Sequence, residues 1–585
     1  MRSSPIFSPT EERPRRWRAP SIVWSTLVAV GALAGSGVEA AGQDSTVGYP
    51  IDEPTIVAEC STCHTQDEEG RLSRISYLRK TPEGWQQSLR RMMALHGVSL
   101  QPEQAQAVVR YLANQQGLAP EELRPGRFEV ERRVSEYDYP GDSGVEFTCI
   151  QCHDMGRVIT QRRTRDEWAL LLATHRALYP LVDFQAFRRA GPPPDDAGSD
   201  GAPPDTRHPM DVAIDHLSEV FPLETPEWSE WSVTMRSPRL AGEWALSGEE
   251  PGKGPLFGRL IIEADPDDPD AFTTRASYVY PESGERVERA GEALVYTGYQ
   301  WRGRSNPGRE SELREVLFVE PDLREMSGRW FTGAYEEFGP DVTLRRIGSD
   351  PVLSGVHPRA LLRDGRRTVT VYGFNLSDAT EDDFDLGEGV TVEGVEGRGD
   401  GSVTLRVSVA ASARVGGRAL YAGGSSLPSA VVVHDGVDRI AVTPRAGMAR
   451  VGGAVAPKGF ETFDAIGYDD GPDGESETED DLTLGRVDVS WSLEEYAAVY
   501  GDDDVDYVGS IRDDGVFVPA LDGPNPERSG NRNNIGDVWV VAHHRTERGR
   551  ELTARAQLVV TVPLYLQFDP WPSVSAQQRR AGGDG

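Results

Sequence analysis

Lysine is nearly missing from this sequence. Only Lys80, Lys253 and Lys458 stand among 61 basic residues, and 94 Asp and Glu bring the formal net charge to −33. A surface this acidic repels nucleic-acid phosphates and anionic lipid, which argues against a polynucleotide-binding protein. Long apolar runs are equally scarce. The one clear example, Ile22 to Ala34, follows a basic stretch (Arg13, Arg15, Arg16, Arg18) and precedes Val38-Glu39-Ala40, a small-x-small site before Ala41. Its length falls short of the ~20 residues a spanning helix needs, so residues 1–40 read as a cleaved secretory signal. Removing them takes away five Arg and three Glu, moving the charge from −33 to −35. The expectation is an exported, soluble protein that lies outside the cytoplasm, with no membrane span after cleavage. Cysteine is the third scarcity: four in 585 residues.

The rest of the composition is that of an ordinary folded chain. Hydrophobic residues make up 38% and aromatics 8%, enough for several cores. Gly (62) and Pro (41) favour a turn-rich, largely β protein. The N-terminal part nevertheless reads as helical. Ala105, Val108, Val109 and Leu112 recur at i, i+3, i+4 and i+7 between Pro102 and Gly117, which predicts a helix. A Pro/Asp/Gly cluster at 191–206 predicts a loop, and 211–221 a short amphipathic segment. After Trp228 the texture becomes all-β: Phe257–Ala264, Ala276–Tyr280 and Glu315–Val319 alternate and are separated by Gly, Pro and Asp turns. Thr368–Tyr372 followed by Gly373-Phe374-Asn375-Leu376 has the form of a strand and turn of an immunoglobulin-like sandwich. Acidic stretches at Asp469–Asp481 and Asp502–Asp506 lack the spaced calcium-loop pattern and read as solvated loops.

All four cysteines fall in two pentapeptides, Cys60-Ser61-Thr62-Cys63-His64 and Cys149-Ile150-Gln151-Cys152-His153. Both are CxxCH, the attachment signature of c-type haem. Two thiols on one helical turn add to the two porphyrin vinyl groups, and the adjacent His presents its imidazole to the iron. A zinc ribbon needs no His after each pair and a shorter separation. A thioredoxin-like pair wants a βαβ context, and disulfides leave the doubled His unexplained.

An internal repeat points to the second iron ligands. RKTPEGWQQSLRRMMALHG (79–97) aligns without gaps with RRTRDEWALLLATHRALYP (162–180), matching at Arg79/Arg162, Thr81/Thr164, Trp85/Trp168, Leu89/Leu172, Ala94/Ala177 and Leu95/Leu178. Each copy reads as a helix with a Thr N-cap, aided by Pro82 in one and by a Thr164–Glu167 capping box in the other. Seven residues after each Trp stand Met92 and His175, both able to bind iron. The expected pairs are His64/Met92 and His153/His175. Met93 and His96 remain alternatives to Met92, and His208, His216 and Met155 alternatives to His175. Arg90, Arg91, Arg162 and Arg163 are candidates for pairing with haem propionates or for solvated helix faces.

The two CxxCH motifs and these repeat segments, together with Tyr296–Arg304 (YTGYQWRGR), Gly328–Gly333 (GRWFTG), Asp522–Arg528 (DGPNPER) and Asn533-Asn534-Ile535-Gly536-Asp537, resemble the α subunit of quinohaemoprotein amine dehydrogenase. The resemblance covers nearly the whole mature chain. It implies a multidomain fold, with a mainly α dihaem cytochrome c region (41–226), then an antiparallel β-barrel (227–348) and two immunoglobulin-like domains (349–435 and 436–566), before a tail (567–585). It also implies a periplasmic heterotrimer with a β-propeller subunit and a small subunit bearing cysteine tryptophylquinone. Amine is oxidised there, and electrons leave through one bis-His and one His/Met haem to a blue-copper protein or a soluble cytochrome c. No cysteine remains here for that quinone once Cys60, Cys63, Cys149 and Cys152 hold two haems, so the amine chemistry belongs to a partner. The alternative is a stand-alone dihaem peroxidase, which needs an iron with an open position.

Overall fold

Two hydrophobic periods divide the chain. Residues with a helical repeat gather in the N-terminal part, and those alternating two by two build everything after it. The computed structural model describes residues 48–126, 139–150, 153, 155–188, 207–453, 455–497 and 502–563. The expected leader at 1–40, Cys152, the loop at 191–206 and the tail at 567–585 lie outside the described residues.

Nine α-helices are described in the N-terminal part: α1 (Pro54–Cys60), α2 (Pro82–His96), α3 (Pro102–Gln115), α4 (Pro120–Leu123), α5 (Ser143–Cys149), α6 (Gly156–Ile159), α7 (Arg165–Leu178), α8 (Pro209–Val220) and α9 (Pro226–Thr234). Proline occupies the first turn of α1, α2, α3, α4, α8 and α9, where its missing N–H costs nothing. Helix α2 stops at Gly97, whose φ of 74° is the left-handed cap that glycine adopts without strain. On α3 the predicted stripe is the buried one, with Val108, Val109 and Leu112 inside. Among the described residues, no helix is long and apolar enough to cross a membrane.

Eight antiparallel strands close into a barrel in simple meander order, the last pairing with the first. Alternate side chains of these strands point inward, and Trp244, Trp301, Trp330, Tyr278 and Phe272 fill the interior. Residues 352–434 form a sandwich of two four-stranded sheets, and residues 439–561 a second β unit of three sheets, each with its own core. Both contain an early strand lying parallel to the last one, Ala360–Leu362 along Ser425–His434 and Ala446–Arg450 along Glu551–Thr561.

The helical part is fastened to the barrel. Leu118 and Leu123 enter the barrel's apolar cluster, and Tyr296 of the barrel enters the helical one. The Thr297 N–H donates to Asn114 Oδ1 (2.7 Å) and the Tyr299 hydroxyl to the Leu118 carbonyl (3.0 Å). At Gly117 a β-carbon would sit 2.3 Å from the Ala113 carbonyl and 2.9 Å from Thr297 Oγ1, so only glycine lets the chain pass.

Two expectations are corrected. Asp502–Asp506 is not simply a solvated loop, because Asp504 is buried and Arg528, itself fully buried, reaches both Asp503 and Asp504. The Thr164–Glu167 capping box is half made. Thr164 Oγ1 accepts the Glu167 N–H, but the Glu167 carboxylate turns away to Arg74 (2.8 Å).

Candidate functional site

The two copies of the repeat meet at a short antiparallel strand pair, β1 (Leu78–Lys80) and β2 (Gln161–Arg163). The register places Arg79 opposite Arg162, which are equivalent residues of the repeat, so the pair lies on a local pseudo-two-fold axis. From each strand the chain enters its helix through a threonine cap, Thr81 accepting from the Gly84 N–H and Thr164 from the Glu167 N–H. One turn further the tryptophans bury completely. Trp85 Nε1–H donates to the Gln116 carbonyl (3.2 Å) and Trp168 Nε1–H to that of Phe221 (3.1 Å), satisfying each indole inside its core.

A single carboxylate holds the axis. Arg79 makes a fork on Glu122 (2.7 and 2.8 Å), and Arg162 Nε lies 3.1 Å from the same carboxylate. All three side chains are buried. Burial raises the Glu122 carboxyl, but the Arg79 hydrogen bonds and the two guanidinium charges outweigh it and hold the group below its ordinary value.

The first pentapeptide begins at the end of α1. Glu53 caps that helix, its carboxylate accepting the Ile56 N–H at 2.7 Å. The Cys63 and His64 N–H groups both donate to the Cys60 carbonyl (3.1 and 2.9 Å), which winds the motif into a turn. Cys60 packs against the buried cluster that contains Ile56 and Trp85, while Cys63 is exposed. Burial pushes the Cys60 thiol up, helped by Glu59 and Glu53. His64 Nδ1 lies 2.8 Å from the Ser73 carbonyl. A carbonyl only accepts, so Nδ1 carries the proton and Nε2 keeps the lone pair a metal needs. Met92 follows Trp85 and Leu89 along one face of α2 and is half-buried, whereas Met93 and His96 are exposed.

The second pentapeptide begins at Cys149, the last residue of α5, a helix capped by Asp142 accepting from the Val145 N–H. Cys149 sits against the core, and burial pushes its thiol up to about 12. His153 and His175 face one another with ring centroids 6.4 Å apart. Two imidazoles sharing one metal ion at about 2 Å per bond have centroids roughly 6 Å apart, so the separation fits a single ion between them. His175 Nδ1 lies 2.8 Å from the Leu171 carbonyl, which again assigns its proton and leaves Nε2 available. Burial pulls the His175 pKa down; the Leu171 hydrogen bond opposes this, and the Arg91 and Arg163 charges add to it. The rival ligands have other contacts. His216 Nε2 is 2.7 Å from the Tyr139 hydroxyl, His208 Nδ1 accepts the Met210 N–H, and Met155 is buried in the core.

Apolar side chains stand exposed in this same region. Phe147 (67%) and Phe184 (75%) are the extremes, with Ile150, Leu178, Tyr179 and Leu181 beside them in the sequence of the site. Paired thiols, preset imidazoles and uncovered apolar surface together fit an iron porphyrin, a large apolar disc with a metal at its centre. Sequence reasoning names Arg163 but misses Glu122, which lies in a four-residue helix, and the buried Lys80. The signal for Lys80 is present, since it occupies the position of the repeat equivalent to Arg163.

Comparison with known families matches four models in chain order. These are quinohemoprotein amine dehydrogenase A, alpha subunit, haem binding (52–192), and alpha subunit domains II (237–347), III (350–435) and IV (440–570). No curated protein sequence matches. Among solved structures, a redesigned β-barrel is 13% identical and covers 19% of this chain and 92% of its own (TM-score 0.16). The Bacteroides ovatus mixed-linkage glucan utilization protein SGBP-B with a bound heptasaccharide is 11% identical over 55% of this chain and 65% of its own (TM-score 0.18). A three-domain fragment of a mouse clustered protocadherin is 11% identical over 52% and 88% (TM-score 0.15). Likenesses this slight carry no functional argument.

Proposed function

The chain belongs to the quinohemoprotein amine dehydrogenase alpha-subunit family, and from that premise we propose that it is the electron-transfer subunit of a periplasmic complex that oxidatively deaminates primary amines. Cys60 and Cys63 attach one haem c, with His64 and Met92 as its iron ligands. Cys149 and Cys152 attach the other, with His153 and His175. Bound haem supplies reversible one-electron iron chemistry at a potential tuned by its axial ligands. The polypeptide fixes the ligands. Backbone carbonyls of Ser73 and Leu171 hold the His64 and His175 rings with Nε2 unprotonated, and the Arg79–Glu122–Arg162 group ties the two attachment regions together.

The observation that carries this reading is the facing pair His153 and His175. It supports a saturated iron, which suits electron transfer and not a peroxidase with an open position. Every cysteine is committed to attachment, so the cysteine tryptophylquinone resides on a small partner subunit, with a β-propeller subunit completing the assembly. A blue-copper protein or a soluble cytochrome c takes the electrons. Purifying the native protein and identifying co-purifying chains by mass tests the proposal. Two further chains, one internally cross-linked and quinone-bearing, are expected. A lone chain fully active in another redox assay overturns it.

A further inference from the structure

The seam between the repeats buries two sets of cations, and they are treated unequally. Arg79 and Arg162 share the Glu122 carboxylate and several backbone carbonyls. Lys80 and Arg163, the next equivalent pair of the repeat, are as deeply buried, but neither has a carboxylate within hydrogen-bond distance. Lys80 Nζ makes one hydrogen bond, to Ser88 Oγ (2.6 Å). Arg163 donates to Gln161 Oε1, and its nearest carboxylate, Glu167, is 3.9 Å away and already committed to Arg74 at 2.8 Å. Each cation lies over its own tryptophan, Lys80 over Trp85 (5.5 Å) and Arg163 over Trp168 (5.6 Å). A ring face returns only part of the hydration that a buried cation loses.

More positive charge converges on the same spot. Apart from burial, the strongest influences on Lys80 are Arg163, Arg91, Glu167 and Arg74, three cations and one carboxylate. Arg91, half-buried on α2, makes no hydrogen bond or salt bridge among the described residues. Burial pulls Lys80 well below the usual lysine range and Arg163 down to about 9, a cost that an anion placed against them would offset. In a chain of net charge −33 this concentration is not a by-product of composition. It also lies toward the second metal position: Arg163 stands over Trp168, two turns before His175 on α7, and Gln87, one turn before Arg91 on α2, accepts from Arg157 on α6 (3.3 Å).

We propose that Lys80, Arg163 and Arg91 form a carboxylate-binding pocket that receives the propionate side chains of the haem held by His153 and His175. The inference rests on the haem-ligand reading above and extends it across the seam. Lys80 and Arg91 come from the first repeat, so one repeat neutralises the cofactor of the other. A guanidinium and an ammonium group donate to the two propionate carboxylates, and the porphyrin's apolar remainder covers the exposed side chains beside His175.

The test uses the exported full-length protein with haem attached. Arg91→Gln, Arg163→Gln, Lys80→Met and Lys80→Arg are compared with wild type and with Arg165→Gln, which removes an exposed cation from the start of α7. Redox titration and the porphyrin propionate-bending band in resonance Raman are the readouts. Arg91→Gln, Arg163→Gln and Lys80→Met are expected to lower the midpoint potential of the bis-imidazole haem and weaken its propionate band. Lys80→Arg and Arg165→Gln are expected to remain close to wild type. Arg91→Gln, on a half-buried helix position, keeps the test decisive if the buried variants misfold. Unmoved potentials and an unmoved propionate band in a protein whose electron paramagnetic resonance shows a bis-imidazole haem overturn the proposal alone. Absence of that signal from wild type overturns the ligand reading and this proposal with it.

Discussion

Arg79 and Arg162, equivalent residues 83 positions apart, stand directly opposite each other in the β1–β2 pair and close on one carboxylate, Glu122. The contact is buried, long-range and shared between two repeats, so it organises the region that carries both CxxCH motifs. Its removal is therefore felt on both sides.

Glu122→Ala leaves two guanidinium groups buried without their anion, and a loss of about 3–5 kcal/mol is expected. Because Glu122 is held below its ordinary value, its contribution is present above the usual carboxylate range and disappears as pH falls through the lowered pKa. Tryptophan fluorescence during acid titration checks this, since Glu122→Gln flattens that segment of the wild-type curve.

Haem content is counted by the pyridine haemochrome assay. Replacing Cys60 and Cys63 together by alanine is expected to halve the haem per chain, and replacing Cys149 and Cys152 together to remove the other half. An unchanged content in either double variant rejects the attachment scheme.

Met92→Ala is expected to lower one midpoint potential by roughly 0.1 V, a fraction of the ~0.8 V that axial ligands span, and to leave the other nearly unchanged. His175→Met is expected to raise the second, because a thioether favours the ferrous state relative to an imidazole. Spectroelectrochemical titration resolves the two, and two stationary potentials reject the assignment.

The barrel offers an independent pH signal. Glu315 is buried inside it, raised to about 7 by burial, while Trp301 Nε1–H (3.1 Å) stabilises the carboxylate and limits the rise. A raised acid favours the folded state below its unfolded pKa, and that advantage drains away as pH climbs to the folded value. Calorimetry is expected to show the barrel losing up to about 3 kcal/mol as pH rises from ~4.5 to ~7, or ~1.4 kcal/mol for each tenfold fall in proton concentration. Glu315→Gln keeps the acceptor for Trp301 and removes the slope.

Local signals in the sequence are legible where local physics decides the outcome. The CxxCH motifs, the Thr81 and Thr164 caps, the Val108–Val109–Leu112 stripe and the alternation of Phe257–Ala264 each announce an element within one or two turns of chain. The strand pair β1–β2 is three residues long and joins segments more than 80 residues apart, so nothing near Leu78 or Arg163 could specify it. Glu167 illustrates the same limit at shorter range. Its sequence position fits a capping box, but Arg74, 93 residues away, captures the carboxylate. Asp504 reads as one more surface acid until the buried Arg528 is brought against it. At the site, the motif histidines and the repeat were visible, while the shared anion and the uncompensated cations required the fold.

The β1–β2 seam makes the helical part a fixed spacer. The helices that carry Met92 and His175 both grow from the same hydrogen-bonded ribbon, so these two ligands stand at one separation, like marks on a ruler. Exchange between the centres then needs no conformational search, and its rate should be indifferent to solvent viscosity.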